Sequence, residues 1–291
     1  MNASEVDASK VNARKVTARK AKTFALALGA GGARGLAHIA IVEALDEMGV
    51  TPTVIAGASI GAVIGAGYAA GLSGRAMRRH LIRLAHDRAE VLRRVMAARA
   101  VAWSEILGAG FGNPLVVDAS KFYDAFMGEL LPADFAELKL PFIAVTTDLH
   151  AREAVVFSAG PLKPAVSASM AVPGLVRPVE LDGRVLVDGG AVDPLPFGCL
   201  RGKADVIVAV DVSGGVGERG GVPDPWEALF STISVMSHTI VSHKLKEGSP
   251  DLVLRPNIGI FRMLDFFQAS AILRAAESIK TELKERLSAL L

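Results

Sequence analysis

Apolar residues along the chain fall into a few short unbroken runs, separated by longer stretches with helical spacing. Phe24-Ala-Leu-Ala-Leu runs directly into glycines, the form of a strand buried on both faces. From Leu36 to Met48 the positions Leu36, Ile39, Ile41, Val42 and Leu45 keep helical spacing, and Gly49 supplies the stop. Thr53-Val-Ile-Ala56 predicts a second strand. No residue between Val50 and Gly74 is charged, a length that raises the question of a membrane span. Pro52 and six glycines interrupt it, so a buried strand entering a buried helix is the better reading.

A basic amphipathic stretch follows, with Arg75, Arg79 and Arg83 on one face and Met77, Leu81 and Leu84 pointing elsewhere. Residues 103–119 read as loop, 120–131 as helix and Pro141–Thr147 as strand. Val179–Leu181 and Arg184–Val187 bracket Asp182-Gly183, which predicts a hairpin with a type I′ turn. Asp205–Asp211 is another buried strand, and residues 213–221 form a polar, glycine-rich loop. Helices near 226–247 and 268–290 then flank a strand at Leu252–Leu254. Strands alternating with helices predict an α/β fold: three α/β/α layers around a mostly parallel central sheet.

Composition narrows the class. At 51% apolar and 21% charged, with mean hydropathy +0.38, the chain has ample material for a core. The single cysteine, Cys199, excludes an intramolecular disulfide and a thiolate zinc cluster. A reducing, cytoplasmic location is the simpler expectation. The net charge of +2 is unevenly spread. Residues 1–22 set six Lys/Arg against Glu5 and Asp7, and residues 75–99 set eight Arg against Asp87 and Glu90. The remainder is acidic, which argues against nucleic-acid binding and leaves local contact with an anionic surface open. Residues 1–22 repeat Val-x-Ala-x-Lys at a period of five that suits neither helix nor strand. They read as a disordered basic tail without the apolar stretch of a secretory signal, ahead of one domain over 23–291.

Candidate chemistry concentrates in three places. Gly57-Ala58-Ser59-Ile60-Gly61 matches G-x-S-x-G between a strand and a helix, the context a nucleophile elbow requires. Gly29-Ala-Gly-Gly-Ala-Arg-Gly35 lacks the third glycine of a dinucleotide fingerprint, and no acid ends the next strand. Nor does it carry the Gly-Lys-Ser/Thr of a P-loop. What remains is a run of unhindered N–H groups suited to an anion, with Arg34 available either as a charge for a phosphate or as a surface residue of a tight turn. Asp188-Gly189-Gly190 closes a strand with an acid and two residues free to turn. Among the histidines, His38 reads as a packing residue and His238 and His243 as solvated helix positions, while His80, His86 and His150 have no motif context.

Taken together, the glycine–arginine loop, G-x-S-x-G about 25 residues later and the distant Asp-Gly-Gly resemble the patatin-like phospholipase family, in particular its short bacterial members. The resemblance covers roughly residues 24–212 and includes Ser167-Ala-Ser-Met-Ala-Val-Pro-Gly174, similar to the family's segment ahead of the Asp motif. It implies a serine lipid acyl hydrolase with Ser59 as nucleophile and Asp188 as its dyad partner. The backbone of Gly31 and Gly32, with Ala33, Arg34 and Ile60, would form the oxyanion hole. No metal or organic cofactor is implied, and no acidic loop of calcium-binding type is present. Two departures stand out: Ala30 where many relatives carry glycine, and Asp193 where an asparagine is common, which should alter local hydrogen bonding. An acyltransferase with the same nucleophile, or a non-catalytic lipid-binding regulator, remains open. The implied partners are a lipid ester substrate and, peripherally, the anionic inner face of a membrane. For that contact the arginines of 75–99 would supply charge, and Trp103, Ile106, Leu107 and Phe111 would insert. A solvated helix face with Trp103 in the core is the alternative.

Overall fold

The computed structural model describes residues 22–98, 116–128, 130–214 and 222–291. The basic tail and the insertion residues Trp103, Ile106, Leu107 and Phe111 lie outside them, as does most of the glycine-rich loop 213–221. The strands are β1 (Phe24–Leu28), β2 (Val54–Ala58), β3 (Phe142–Asp148), β4 (Glu153–Phe157), β5 (Val179–Leu181), β6 (Arg184–Asp188), β7 (Val206–Val210) and β8 (Leu252–Leu254). The described α-helices are α1 (His38–Met48), α2 (Ile60–Ala69), α3 (Gly74–His86), α4 (Arg88–Ala97), α5 (Ala119–Phe126), α6 (Leu162–Ser169), α7 (Pro225–Glu247), α8 (Ala269–Ala275) and α9 (Ser278–Leu290).

All eight strands form one sheet, in the order β5-β6-β3-β2-β1-β7-β8, with β4 also paired to β3. The β3-β2-β1-β7-β8 portion is parallel, and β4, β5 and β6 are antiparallel to their neighbours. Strand β1 shows how the layers arise. Successive side chains alternate faces, so Phe24, Leu26 and Leu28 enter a large core shared with α1, α2, α8 and α9. Ala25 and Ala27 face a thinner layer, where Leu195, Phe197, Leu200 and Val241 of α7 cover the sheet. Helices therefore cover both faces, as three α/β/α layers require. The uncharged stretch after Val50 is β2 running into α2, both buried. Among the described residues no helix is long and apolar enough to cross a membrane.

Some details depart from the expectation. The predicted helix over 268–290 is two helices, parted at Ala276–Glu277 without a proline or glycine to mark the break. The helix expected over 120–131 ends at Phe126. Strand β4 is not among the expected strands, although Ala154-Val-Val-Phe157 is an apolar run; as an edge strand it leaves most of its side chains exposed. The hairpin at Asp182-Gly183 has positive φ at both residues (51° and 72°), as a type I′ turn demands.

One register matters most. Strand β4 occupies one edge of β3 over Ala144–Asp148, so β2 and β6 must share the other. Along that edge Ala58 of β2 lies opposite Val145, and Asp188 of β6 lies opposite Thr146, the next residue. Parallel β2 and antiparallel β6 thus meet end to end. Ser59 and Asp188, 129 residues apart in sequence, sit at that junction.

Candidate active site

Ser59 follows the last residue of β2 and caps α2 with φ 56° and ψ −128°, an unusual backbone conformation for a residue with a Cβ. The flanking glycines make the turn sterically possible. A Cβ on Gly61 would lie 2.2 Å from the Leu28 carbonyl oxygen, and one on Gly57 would lie 2.4 Å from that of Gly61. The strained turn is also tied down. The Ser59 N–H donates to Ser169 Oγ at 3.0 Å, and that hydroxyl donates to the Val145 carbonyl at 2.7 Å. Ser169, fully buried at the end of α6, thereby links the elbow to β3.

The Ser59 hydroxyl donates to Asp188 Oδ2 at 2.5 Å. Its partner is a carboxylate, not an imidazole. The other carboxylate oxygen, Oδ1, accepts from the Gly190 N–H at 2.7 Å. The Asp188 main chain is fixed as well: its N–H donates to Ala171 O at 3.0 Å and its carbonyl accepts from Thr147 Oγ1 at 2.9 Å. Ser59 and Asp188 are both buried. Burial lifts the Asp188 carboxyl to about 6, against the opposing pull of the hydrogen bonds from Ser59 and Gly190.

The glycine loop forms a short 3-10 helix over Gly32–Ala37. Gly32 has φ 58°, and a Cβ there would lie 2.3 Å from the Met263 carbonyl oxygen, so only glycine fits. The proposed donors separate into two groups. The Ala33 N–H already donates to the Met263 carbonyl at 2.7 Å, and the i→i−3 pattern of the 3-10 helix takes that of Arg34. Neither is a free donor. Among the described residues the N–H groups of Gly31, Gly32 and Ile60 have no such partner.

Arg34 itself corrects the expectation of a surface or phosphate-facing side chain. Its guanidinium is buried, donating to Ser234 Oγ at 2.9 Å and, more weakly, to the Gly31 carbonyl at 3.4 Å. Burial lowers its pKa, while the nearby charge of Asp211 raises it. His38 is fully buried, with Nε2 bonded to the Gly29 carbonyl at 2.9 Å and its pKa pushed down to about 4 by burial. It is neutral at working pH and packs under the loop. His238 and His243 are exposed on α7. Asp193 ion-pairs with Lys244, whose ammonium also donates to the Leu195 carbonyl at 3.1 Å and lies 4.8 Å from the Phe197 ring centroid. Burial raises the Asp193 pKa against the effect of Lys244. Sequence reasoning missed Ser169 and Met263 as positioning groups, although Ser169 lies inside the segment singled out at 167–174. The described residues hold no cluster of His, Cys, Asp and Glu able to bind a metal ion.

A layered sheet with an elbow serine and a glycine loop at the C-terminal ends of its parallel strands defines a class of α/β protein whose site lies at that edge of the sheet. The profile of the patatin-like phospholipase family matches residues 26–200, and the chain belongs to that family. It is 40% identical over 191 residues to an uncharacterized NTE family protein of Mycobacterium tuberculosis, covering 65% of this chain and 49% of that one. Over the same length it is 34% identical to patatin-like phospholipase domain-containing protein 7 of Rattus norvegicus, covering 65% and 13%. A lysophospholipase of Coccidioides immitis is 28% identical over 290 residues, covering 91% and 18%. The chain thus spans about half the length of its mycobacterial relatives and much less of the others. Among solved structures, VipD from Legionella pneumophila aligns with a TM-score of 0.48 at 16% identity, covering 90% of this chain and 66% of that one.

Proposed function

We propose that the protein hydrolyses carboxylic esters of lipids through a Ser59–Asp188 dyad and an acyl-enzyme. The observation that carries this reading is the 2.5 Å hydrogen bond from Ser59 Oγ to a buried carboxylate at a strained elbow. As Ser59 Oγ attacks the ester carbonyl, its proton passes to Asp188 Oδ2. The carbonyl π electrons move onto oxygen, where the N–H groups of Gly31, Gly32 and Ile60 receive the negative charge. Collapse breaks the bond to the alkoxide leaving group, which takes the proton back from Asp188. Water then repeats the sequence on the acyl-serine and restores Ser59. A carboxylate at its ordinary pKa is a poor base for this step; lifted to about 6 it is closer to the pH at which it must work.

Lipid esters are the substrate class and residues 23–291 the catalytic domain. Peripheral contact with an anionic membrane face brings enzyme and substrate together. The decisive test is turnover of a panel of phospholipid, lysophospholipid, neutral and p-nitrophenyl esters, with labelling by a fluorophosphonate probe. Ser59→Ala should abolish both, and Asp188→Asn should slow turnover by about 10²–10⁴. A wild-type protein that takes no label and turns over no ester would refute the proposal. Acyl transfer to an added alcohol in preference to water would make it an acyltransferase instead.

A further inference from the structure

Most of the large apolar side chains left exposed among the described residues gather in two segments. Nine of thirteen lie in 222–236 and 260–267, among them Trp226, Leu229, Met236 and Phe266. The segments are distant in sequence but joined by an ion pair between Glu227 and Arg262 at 3.0 Å. Each touches the loops that carry the chemistry. The Met263 carbonyl holds the Ala33 N–H of the glycine loop, and Ser234 of α7 accepts from Arg34 of the same loop. Helix α7 also packs against the Gly189–Ala191 turn that follows Asp188. A Cβ on Gly174 would come within 3.8 Å of both Trp226 and Leu229. An apolar rim therefore adjoins the loops that flank Ser59 and Asp188.

We propose that this rim is the part of the protein that inserts into an anionic lipid surface, delivering ester lipid to Ser59. The inference rests on the dyad reading for its substrate but concerns a separate surface. Charge complementarity and position both favour a lipid bilayer as the occupant. Helix α3 packs against the Phe266–Gln268 turn and exposes Arg75, Arg79 and Arg83, so a cationic face adjoins the apolar one. Only part of the 75–99 arginine cluster serves this role. Arg78 is tied to Glu43 and Glu277, and Arg93 and Arg94 to Glu90. A second copy of the chain seated on the rim would obstruct the route to Ser59, whereas a bilayer is the source of what must travel along it. Exposed patches of this kind mark interaction surfaces.

The test is partition of the full-length chain onto phosphatidylcholine vesicles with and without phosphatidylglycerol, beside turnover of a soluble short-chain ester. Trp226→Ser with Leu229→Ser, and separately Leu264→Ser with Phe266→Ser, should each weaken partition by about tenfold or more and leave soluble-ester turnover unchanged. Changing Arg75, Arg79 and Arg83 together to Glu should abolish the preference for phosphatidylglycerol. Three results overturn the proposal: wild-type protein that does not partition, serine variants that partition like wild type, or a wild-type dimer that these variants convert to monomers. Binding without a phosphatidylglycerol preference removes its anionic part. If vesicle binding behaves as expected while no ester is turned over, the docking surface stands and the dyad reading falls.

Discussion

Replacing Ser169 with alanine tests whether the elbow must be held from behind. The Ser169 hydroxyl gives its one proton to the Val145 carbonyl, so the oxygen that faces Ser59 can only accept. Alanine removes both bonds at once and leaves the Ser59 N–H unpaired where no water reaches. A buried donor without a partner costs about 1–3 kcal/mol. A domain of this size should then lose roughly 3–10 °C in Tm. The catalytic effect should exceed the loss of folded protein. Ser59 holds a φ of 56°, a conformation that costs about 1–3 kcal/mol and persists only while its surroundings enforce it. With the tether gone the turn can relax and carry Oγ away from Asp188. Displacement by about 1 Å can cost on the order of 10²-fold in rate, so kcat on a soluble ester should fall by about 10–100-fold with KM little changed. Ser167→Ala is the internal control, because Ser167 lies on the same helix, is equally buried, and has an Oγ with no hydrogen-bond partner. It should be neutral. Unchanged kcat in Ser169→Ala, or an equal loss in Ser167→Ala, would show that the tether does not position the nucleophile.

Three further outcomes follow from the same geometry. In the proposed mechanism Asp188 must be ionised to take the serine proton, and burial lifts its carboxyl to about 6, so kcat/KM should rise with pH through an acid limb centred near pH 6; a limb near pH 4, or one lost in a histidine variant that stays folded, would contradict the assignment. The raised pKa also means that the folded state holds a proton the unfolded chain has released between about pH 4 and 6, so this group lowers stability as pH rises through that window. Above it the burden is about 3 kcal/mol, and Asp188→Asn should raise Tm by several degrees at pH 8 and hardly at all at pH 4, as scanning calorimetry would reveal. Gly61→Ala should give little folded protein, since its Cβ would meet the main chain of β1, which cannot yield as a flexible side chain would; a folded, active variant seen by circular dichroism and ester turnover would contradict that.

What could be read from the sequence is what local pattern dictates. The runs at Phe24–Leu28, Val54–Ala58 and Val206–Val210 are buried strands because no polar residue interrupts them. Ser59 was visible because the glycines that make its turn possible are its near neighbours. Asp188 was much less so: an acid before two glycines is an ordinary turn, and only its combination with the other blocks singled it out. What joins the two residues is the shared edge of β3, a long-range register that neither motif encodes. The burial of Arg34 is not legible in the sequence for the same reason, since its environment is made by Asp211 and Ser234, far along the chain. The apolar rim is not legible in the sequence because Trp226, Leu229 and Met236 look like the inward face of α7, whereas the structure buries Phe230 and Val241 of that helix and sets Val241 against the sheet.

In the proposed mechanism, the meeting of β2 and β6 is also what lets a base as weak as aspartate serve. Two strand ends that abut along one edge of β3 exclude water from the gap and bring backbone from three directions. The carboxylate is therefore desolvated, which raises its pKa, and at the same time gripped at Oδ1 by Gly190 and through its main chain by Ala171 and Thr147. Desolvation alone would favour a neutral, idle acid. Grip alone would hold the pKa low and leave a poorer base. Their combination leaves one oxygen, Oδ2, directed at the Ser59 hydroxyl with a proton affinity suited to transfer near neutral pH. A histidine would add a second titrating group and a longer reach, neither of which this junction requires. In that mechanism the burden of catalysis shifts to the proposed oxyanion side, the N–H groups of Gly31, Gly32 and Ile60, which have no hydrogen-bond partner among the described residues.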